Sequence, residues 1–344
     1  MEKNLFISNF KKLPKGFLIF ILLAFAFEGF NIIFDDYFYA SSHAMEGLRM
    51  NIKNKFSQNR RNDFDIIVLG DCYNSTGVNP NLIYEKTQKS CWNFSTYAWQ
   101  TSFAAYCLFN NYMKACKKKP KLLIIGYIPQ IGLSWTKKDI ATTKIFYLYE
   151  FKQGNVTSFA KMFGVASVLK MFVPSLKHQG ILKRFFAEPI AIIKNIPSRQ
   201  RLNNVIASVY KDKGYDATVE EGIYKGGGVI EEPLRPISPF FKQNLESILD
   251  TALKNNMKVI YLIPTSPPGQ GDKDKYFAFL KEYKHYINSC KEKYSNMIIL
   301  HPQGKLNSDE FYGQTAHLNK KGMLILNDYL AEQINRLNFN DSFN

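Results

Sequence analysis

The chain has no CxxC pair and no Cys/His spacing of the kind that holds zinc, and its five cysteines (72, 91, 107, 116 and 290) are an odd number. These absences argue against a structural zinc site and leave at least one thiol unpaired within a monomer. Gly226-Gly227-Gly228 is not followed by Lys-Ser or Lys-Thr, so it reads as a flexible loop and not as a phosphate cradle. No nucleic-acid-binding motif, repeat or low-complexity tract occurs, and no nucleic-acid partner, metal or other cofactor is expected. Acidic residues are scarce: 29 Asp and Glu stand against 45 Lys and Arg, a formal net charge of +16. The first 15 residues hold four Lys and one Glu, which leaves +13 on the remainder. Outside the cytoplasm a surplus of that sign favours anionic head groups or an anionic glycopolymer. A generally lysine-rich composition is the blander account.

What the chain has in quantity is apolar sequence. Residues 16–34, GFLIFILLAFAFEGFNIIF, are nearly all apolar and follow Lys11, Lys12 and Lys15. The run is about as long as a spanning helix needs at ~1.5 Å per residue. Its positive flank places residues 1–15 in the cytoplasm and the remainder outside. A cleaved signal peptide competes, but the run is long for a signal core, and the nearest small-residue cleavage site is Ala40-Ser41-Ser42. The expectation is a single-pass anchor in the cell membrane, with Glu28 facing a partner helix or the interface. Residues 35–62, basic towards their end (Lys53, Lys55, Arg60, Arg61), read as a helical stalk, and residues 63–344 as the main domain.

That domain is organised around residues 65–80, DIIVLGDCYNSTGVNP. Ile66 to Gly70 is a short run typical of a buried parallel strand. Asp71-Cys72 follows where the strand ends, and Asn79-Pro80 reads as a capped helix start with Pro at the first helical position. Short apolar runs at 90–94, 121–127, 257–263 and 296–300 then alternate with helical stretches at 100–118, 240–255, 273–293 and 320–337. Alternation of this kind predicts a three-layer, doubly wound α/β fold with a parallel sheet covered on both faces. Ligands in such sheets sit beyond the carboxyl ends of the strands, and both Cys72 and His317, in the loop after the last strand, fall there. Residues 131–237 interrupt the pattern as an insertion. Within it 159–173 (FAKMFGVASVLKMFV) reads as a helix packed in the domain, with a lid or a membrane-resting patch as the functional reading.

Gly70-Asp71-Cys72 near the start of the domain and Gln314-Thr315-Ala316-His317 near its end together resemble the SGNH (GDSL-type) hydrolase superfamily, in which Gly-Asp-Ser opens the domain and Asp-x-x-His closes it. The layout is most similar to the membrane-anchored branch that includes the alginate O-acetylation and D-alanyl-lipoteichoic-acid transfer proteins. Two departures stand out: Cys72 replaces the Ser, and Gln314 replaces the Asp. The resemblance implies an extracytoplasmic acyl transferase or esterase acting on O-acyl groups of a cell-envelope polysaccharide, beside a membrane-bound O-acyltransferase that delivers the acyl group. Cys72 would take the acyl group, His317 would shuttle protons, and Gln314 would orient the imidazole, with Asp309 a second candidate for that role. Backbone amides at Cys72 and at Ser95 or Thr96 would hold the oxyanion. Asp71, Asn74, Asn93 and Gln130 are candidate lining residues; Gln130 is the nearest amide to the Asn that the family places after its third strand.

A thiol attacks as thiolate, and a Cys–His pair needs orientation of the imidazole more than a buried carboxylate. Two other readings stay open. One is a catalytically silent subunit that keeps the fold and binds glycan or a membrane partner. The other is a structural Cys72 paired with Cys91 or another thiol.

Overall fold

The computed structural model describes residues 15–33, 46–60, 63–96, 101–128, 198–216, 237–265, 273–313 and 317–337. Two compact units divide the chain, 1–48 with 147–202 and 49–146 with 203–344.

In the first unit, α1 (Lys15–Ile33) is a helix of 19 residues. Phe17, Ile19, Leu22, Leu23, Phe25 and Phe27 are exposed along it. Glu28 and Asn31 interrupt the apolar run near its end, and the Asn31 amide donates back to the Phe27 carbonyl at 2.7 Å. Among the described residues no helix is long and apolar enough to cross a membrane.

The second unit is built on five strands, β1 (Ile66–Gly70), β2 (Cys91–Asn93), β3 (Leu122–Gly126), β4 (Lys258–Leu262) and β5 (Met297–Leu300). All pair in parallel, in the order β2-β1-β3-β4-β5. β1 and β3 are buried at every position, which is why they read as unbroken apolar runs instead of alternating ones. Their side chains serve two layers. Ile66, Val68, Leu122, Ile124, Ile260 and Leu262 share one core with Ile83 and Leu330. These last two lie in α4 (Pro80–Thr87) and α9 (Lys320–Arg336), while α5 (Thr101–Ala115) packs on β1 and α7 (Pro239–Lys254) on β4. On the opposite face the Tyr261 hydroxyl meets that of Tyr283 at 2.5 Å, in α8 (Lys273–Lys293). The doubly wound parallel α/β architecture expected from the alternation is therefore present, and residues 63–127 and 240–337 share one sheet.

Local signals hold where they were strongest. Asn79 caps α4 by accepting from the Asn81 amide at 2.9 Å, and Pro80 opens the helix. Two differences matter. A helix also begins directly at the end of β1, as α3 (Cys72–Gly77). And the segment read as the end of a stalk is part of the domain. In α2 (Glu46–Ser57), Met50, Ile52, Lys53 and Phe56 are buried. Phe56 stacks on Trp92 of β2 with centroids 3.5 Å apart. Its lysines suggested a solvated helix, whereas Lys53 points inward. Of the insertion, residues 131–197 and 217–236, including 159–173, lie outside the described residues. The described part, α6 (Arg199–Lys211) and the turn after it, reaches β2 through the Asn93 amide, which donates to the Lys213 carbonyl at 2.9 Å.

Candidate active site at the carboxyl edge of the sheet

The strand order reverses between β1 and β3, since the chain steps to β2 on one side of β1 and to β3 on the other. A crevice beyond the carboxyl ends of those two strands is where such sheets hold ligands. Two glycines let the strand ends approach there. A Cβ on Gly70, whose φ is +136°, would meet the Gly126 carbonyl oxygen at 2.1 Å. A Cβ on Gly126 would meet the Leu262 carbonyl oxygen at 2.3 Å.

Asp71 fastens the two strand ends together. One carboxylate oxygen accepts from the Tyr73 amide at 2.9 Å, capping α3. The other accepts from the Ile128 amide, just beyond β3. The residue is only 1% exposed, and burial pushes its carboxyl up to about 7 against the pull of backbone N–H groups at Ile128, Tyr73 and Asn74. Tyr127 lies close enough for the Asp71 charge to add to the burial that raises its phenol well above the usual range. The Tyr127 hydroxyl is buried and has no hydrogen-bond partner among the described residues.

Cys72 is the first residue of α3 and is 9% exposed. Its neighbours are structural. The Tyr73 hydroxyl bonds that of Thr265 beyond β4, at 2.8 Å. The Asn74 amide donates to the Leu69 carbonyl at 2.8 Å and the Gly126 carbonyl at 3.2 Å, so Asn74 ties β1 to β3. Asn93 is fully buried. It donates to the Asn74 and Val78 carbonyls, each at 2.8 Å, and accepts from the Ser95 amide at 2.8 Å.

That last bond bears on the expected oxyanion donors. The Ser95 N–H is committed to Asn93, and the Thr96 N–H donates to the Gly70 carbonyl at 2.8 Å. Neither amide is directed at an incoming oxygen in this arrangement. All five cysteines are buried and none is in a disulfide, which removes the pairing of Cys72 with Cys91. Burial drives the Cys91 thiol far above its ordinary range.

His317 stands in a short antiparallel bridge between Tyr312 and Leu318, where its carbonyl accepts from the Gly313 amide at 2.8 Å. Leu318, the next residue, comes within 3.6 Å of the Cβ position at Gly77, the last residue of the helix that Cys72 begins. The fold thus brings the histidine loop against α3. Gln314 and Gln130 lie outside the described residues. Asp309 opens a 3-10 turn, Asp309–Phe311, and its buried Oδ1 has no partner among the described residues.

Two features escaped sequence reading. Asn327, in α9, accepts from the Asn79 amide at 2.9 Å and donates to the Gly77 and Met323 carbonyls, each at 2.7 Å. It clamps the last helix to the turn after α3, and nothing local marks it. The other is a charged cluster at the end of β2. The Lys53 ammonium donates to the Ser95 carbonyl at 2.6 Å. Arg49 pairs with Asp216 at 2.7 Å, and the Asp216 amide donates to the Ser75 carbonyl of α3 at 2.9 Å. Burial, partly offset by Asp216 and reinforced by Arg49, lowers Lys53 to about 7. Among the described residues no group of three or more His, Cys, Asp or Glu side chains is placed to hold a metal ion.

No family model matches the chain, and no curated protein does. A solved structure named for the G-D-S-L family of lipolytic proteins, from Desulfitobacterium hafniense DCB-2, is 13% identical. It superposes with a TM-score of 0.37, over 78% of this chain and 97% of that one. A likeness of that size decides neither fold nor activity, which rest on the sheet and the site themselves.

Proposed function

We propose that this chain is an SGNH-like acyl transferase or esterase that works through Cys72. The observation that carries the reading is the position of Cys72. It is the first residue after the Gly70-Asp71 turn at the carboxyl end of β1, beside the point where the strand order reverses. A nucleophile there stands at the carboxyl edge of the sheet, and the Cys72 backbone N–H would be the oxyanion donor, since the Tyr73 and Asn74 amides serve the Asp71 carboxylate. His317, whose loop packs against α3, is the proton shuttle of this reading, and Gln314 its orienting partner. The Ser95 and Thr96 amides are otherwise engaged, so the oxyanion rests mainly on the Cys72 end of the site. The substrate would be an O-acyl group of a cell-envelope polysaccharide, delivered beside a membrane-bound O-acyltransferase. Residues 16–34 would hold the domain at the outer face of the membrane; the exposed apolar side chains of α1 support that part.

The committed amides at 95 and 96 favour a second reading, a silent subunit that binds glycan or the membrane partner in the same crevice. Intact-mass measurement after a reactive acyl ester separates the two. A covalent adduct on the wild type that is lost in Cys72→Ala supports chemistry. No adduct on the wild type, or an equal one on both, leaves the binding subunit. Cys72→Ser sharpens the result: with no carboxylate at position 314, the hydroxyl is weakly activated and turnover falls at least tenfold.

A further inference from the structure

Among the described residues, the cluster at the end of β2 contains more positive charge than its partners neutralise. Lys53 is 4% exposed, and the hydrogen bond its ammonium makes goes to a neutral carbonyl, that of Ser95. An ammonium carries three donors, and a buried cation without a counter-charge costs several kcal/mol. The carboxylate acting on it is Asp216, which is already paired with the Arg49 guanidinium at 2.7 Å. Two cations therefore share one carboxylate. Ser95, the residue whose carbonyl accepts from Lys53, is fully buried, and its hydroxyl has no hydrogen-bond partner among the described residues.

The place is as telling as the charge. The Ser95–Thr96 peptide accepts from Lys53 through its carbonyl and donates from its N–H to the Gly70 carbonyl. A single peptide group thus separates Lys53 from the end of β1, two residues before Cys72.

We infer that Lys53, with the Ser95 hydroxyl beside it and Arg49 behind, is a binding subsite for one oxyanion group, a carboxylate or a phosphate, next to the crevice at Cys72. The unspent N–H groups of Lys53 and the Ser95 O–H donate to it, and the anion supplies the missing counter-charge. Arg49 stays with Asp216 and contributes its field. The assignment of that anion to the substrate, as an acidic group close to the acyl linkage, rests on the proposed role of Cys72; the subsite itself does not.

The test is anion binding by the full chain in detergent at pH 6.5. Melting temperature is followed against inorganic phosphate and, separately, sodium acetate, with sodium chloride at equal ionic strength as the reference. The expected result is a saturable rise in Tm with phosphate or acetate above the chloride reference. In Lys53→Met the apparent affinity falls at least about tenfold, the loss expected when a charged hydrogen-bond donor is removed. Lys53→Arg retains binding, and Ser95→Ala weakens it by a smaller factor. Which anion binds tells phosphate from carboxylate. No saturable rise in the wild type, or the same rise in Lys53→Met, overturns the inference. If Lys53→Met does not fold, the decision passes to Ser95→Ala, and affinity unchanged from wild type then overturns it. Cys72→Ala is the control that separates the two proposals: it binds the anion like wild type, whatever becomes of the acyl chemistry.

Discussion

Two places at the carboxyl edge of the sheet, the joined ends of β1 and β3 and the end of β2, handle a buried charge in opposite ways. At the joined ends of β1 and β3 the bonding is dense and internal. Asp71 reaches two amides, Asn74 two carbonyls, and Gly70 and Gly126 remove the side chains that would hold the backbones apart. At the end of β2 a buried ammonium and a guanidinium have one carboxylate and one peptide carbonyl between them among the described residues, and a buried hydroxyl has no partner there. Each place keeps buried polar atoms without a partner among the described residues, Asn74 Oδ1 and the Tyr127 hydroxyl at the first and the Ser95 hydroxyl at the second. At the second, however, the buried ammonium donates to one neutral carbonyl, and a buried charge held so weakly is the one to be completed by something else. Charge alone does not separate them, because both hold a buried ionisable group whose titration is moved to about 7. The difference lies in what meets the charge: amides from both strand ends at Asp71, and a single neutral carbonyl at Lys53.

Substitutions can break that contrast. The largest effect is expected at Gly70→Ala, where the new Cβ meets backbone oxygen at 2.1 Å in a left-handed conformation. A loss of about 4 kcal/mol or more in urea unfolding is expected, at the upper end of single-residue effects. Asn74→Ala removes two buried hydrogen bonds between the strand ends, and about 2–3 kcal/mol should go with them. If either variant unfolds at the wild-type midpoint, the rigid end is not where the stability lies.

Lys53→Met probes the other side through pH. Lys53 titrates near 7 when folded, against about 10.4 in an unfolded chain. Between those values the unfolded chain holds the extra proton, so stability rises with pH across the window, and the whole penalty applies below pH 7. Urea midpoints taken from pH 6 to 10 should show that rise in the wild type. In Lys53→Met it should be smaller by about 2 kcal/mol, allowing for relaxation around the buried charge. Identical slopes would mean that Lys53 is not carrying a buried charge. Ser95→Ala is the smallest: deleting an unpartnered hydroxyl should change stability by no more than about 0.5 kcal/mol. A loss of 2 kcal/mol there would place Ser95 among the fully bonded residues and erase the contrast.

The strands were legible because their signal is local: five apolar residues in a row, closed by Gly-Asp or Tyr-Leu-Ile-Pro, have few other readings. The Asn79-Pro80 helix start was legible for the same reason. Lys53 was not, because a lysine among Lys55, Arg60 and Arg61 looks solvated until Phe56 is seen stacked on Trp92. The commitment of the Ser95 and Thr96 amides was hidden as well, since their acceptors, Asn93 and Gly70, are fixed by sheet pairing and not by sequence spacing. From sequence alone Asn74 and Asn93 read as polar lining. Each is instead a strap between elements, and a polar side chain at a strand end gives no hint of which way it turns. Cys72 and His317 were placed at one edge of the sheet by topology alone, and the structure carries their segments to opposite ends of one short helix.

The Asn327 clamp sets an order of events in time. Its bonds to Asn79 and Gly77 join positions 248 and 250 residues apart. At a synthesis rate of about 5–20 residues per second, the turn after Cys72 waits on the order of 12–50 s for its partner to be made. Until then α3, the helix that Cys72 begins, has no α9 to lean on. A chain stopped short of α9 would carry Cys72 but not the brace that holds its surroundings in register. Any acyl chemistry at Cys72 would thus wait for α9 to be made.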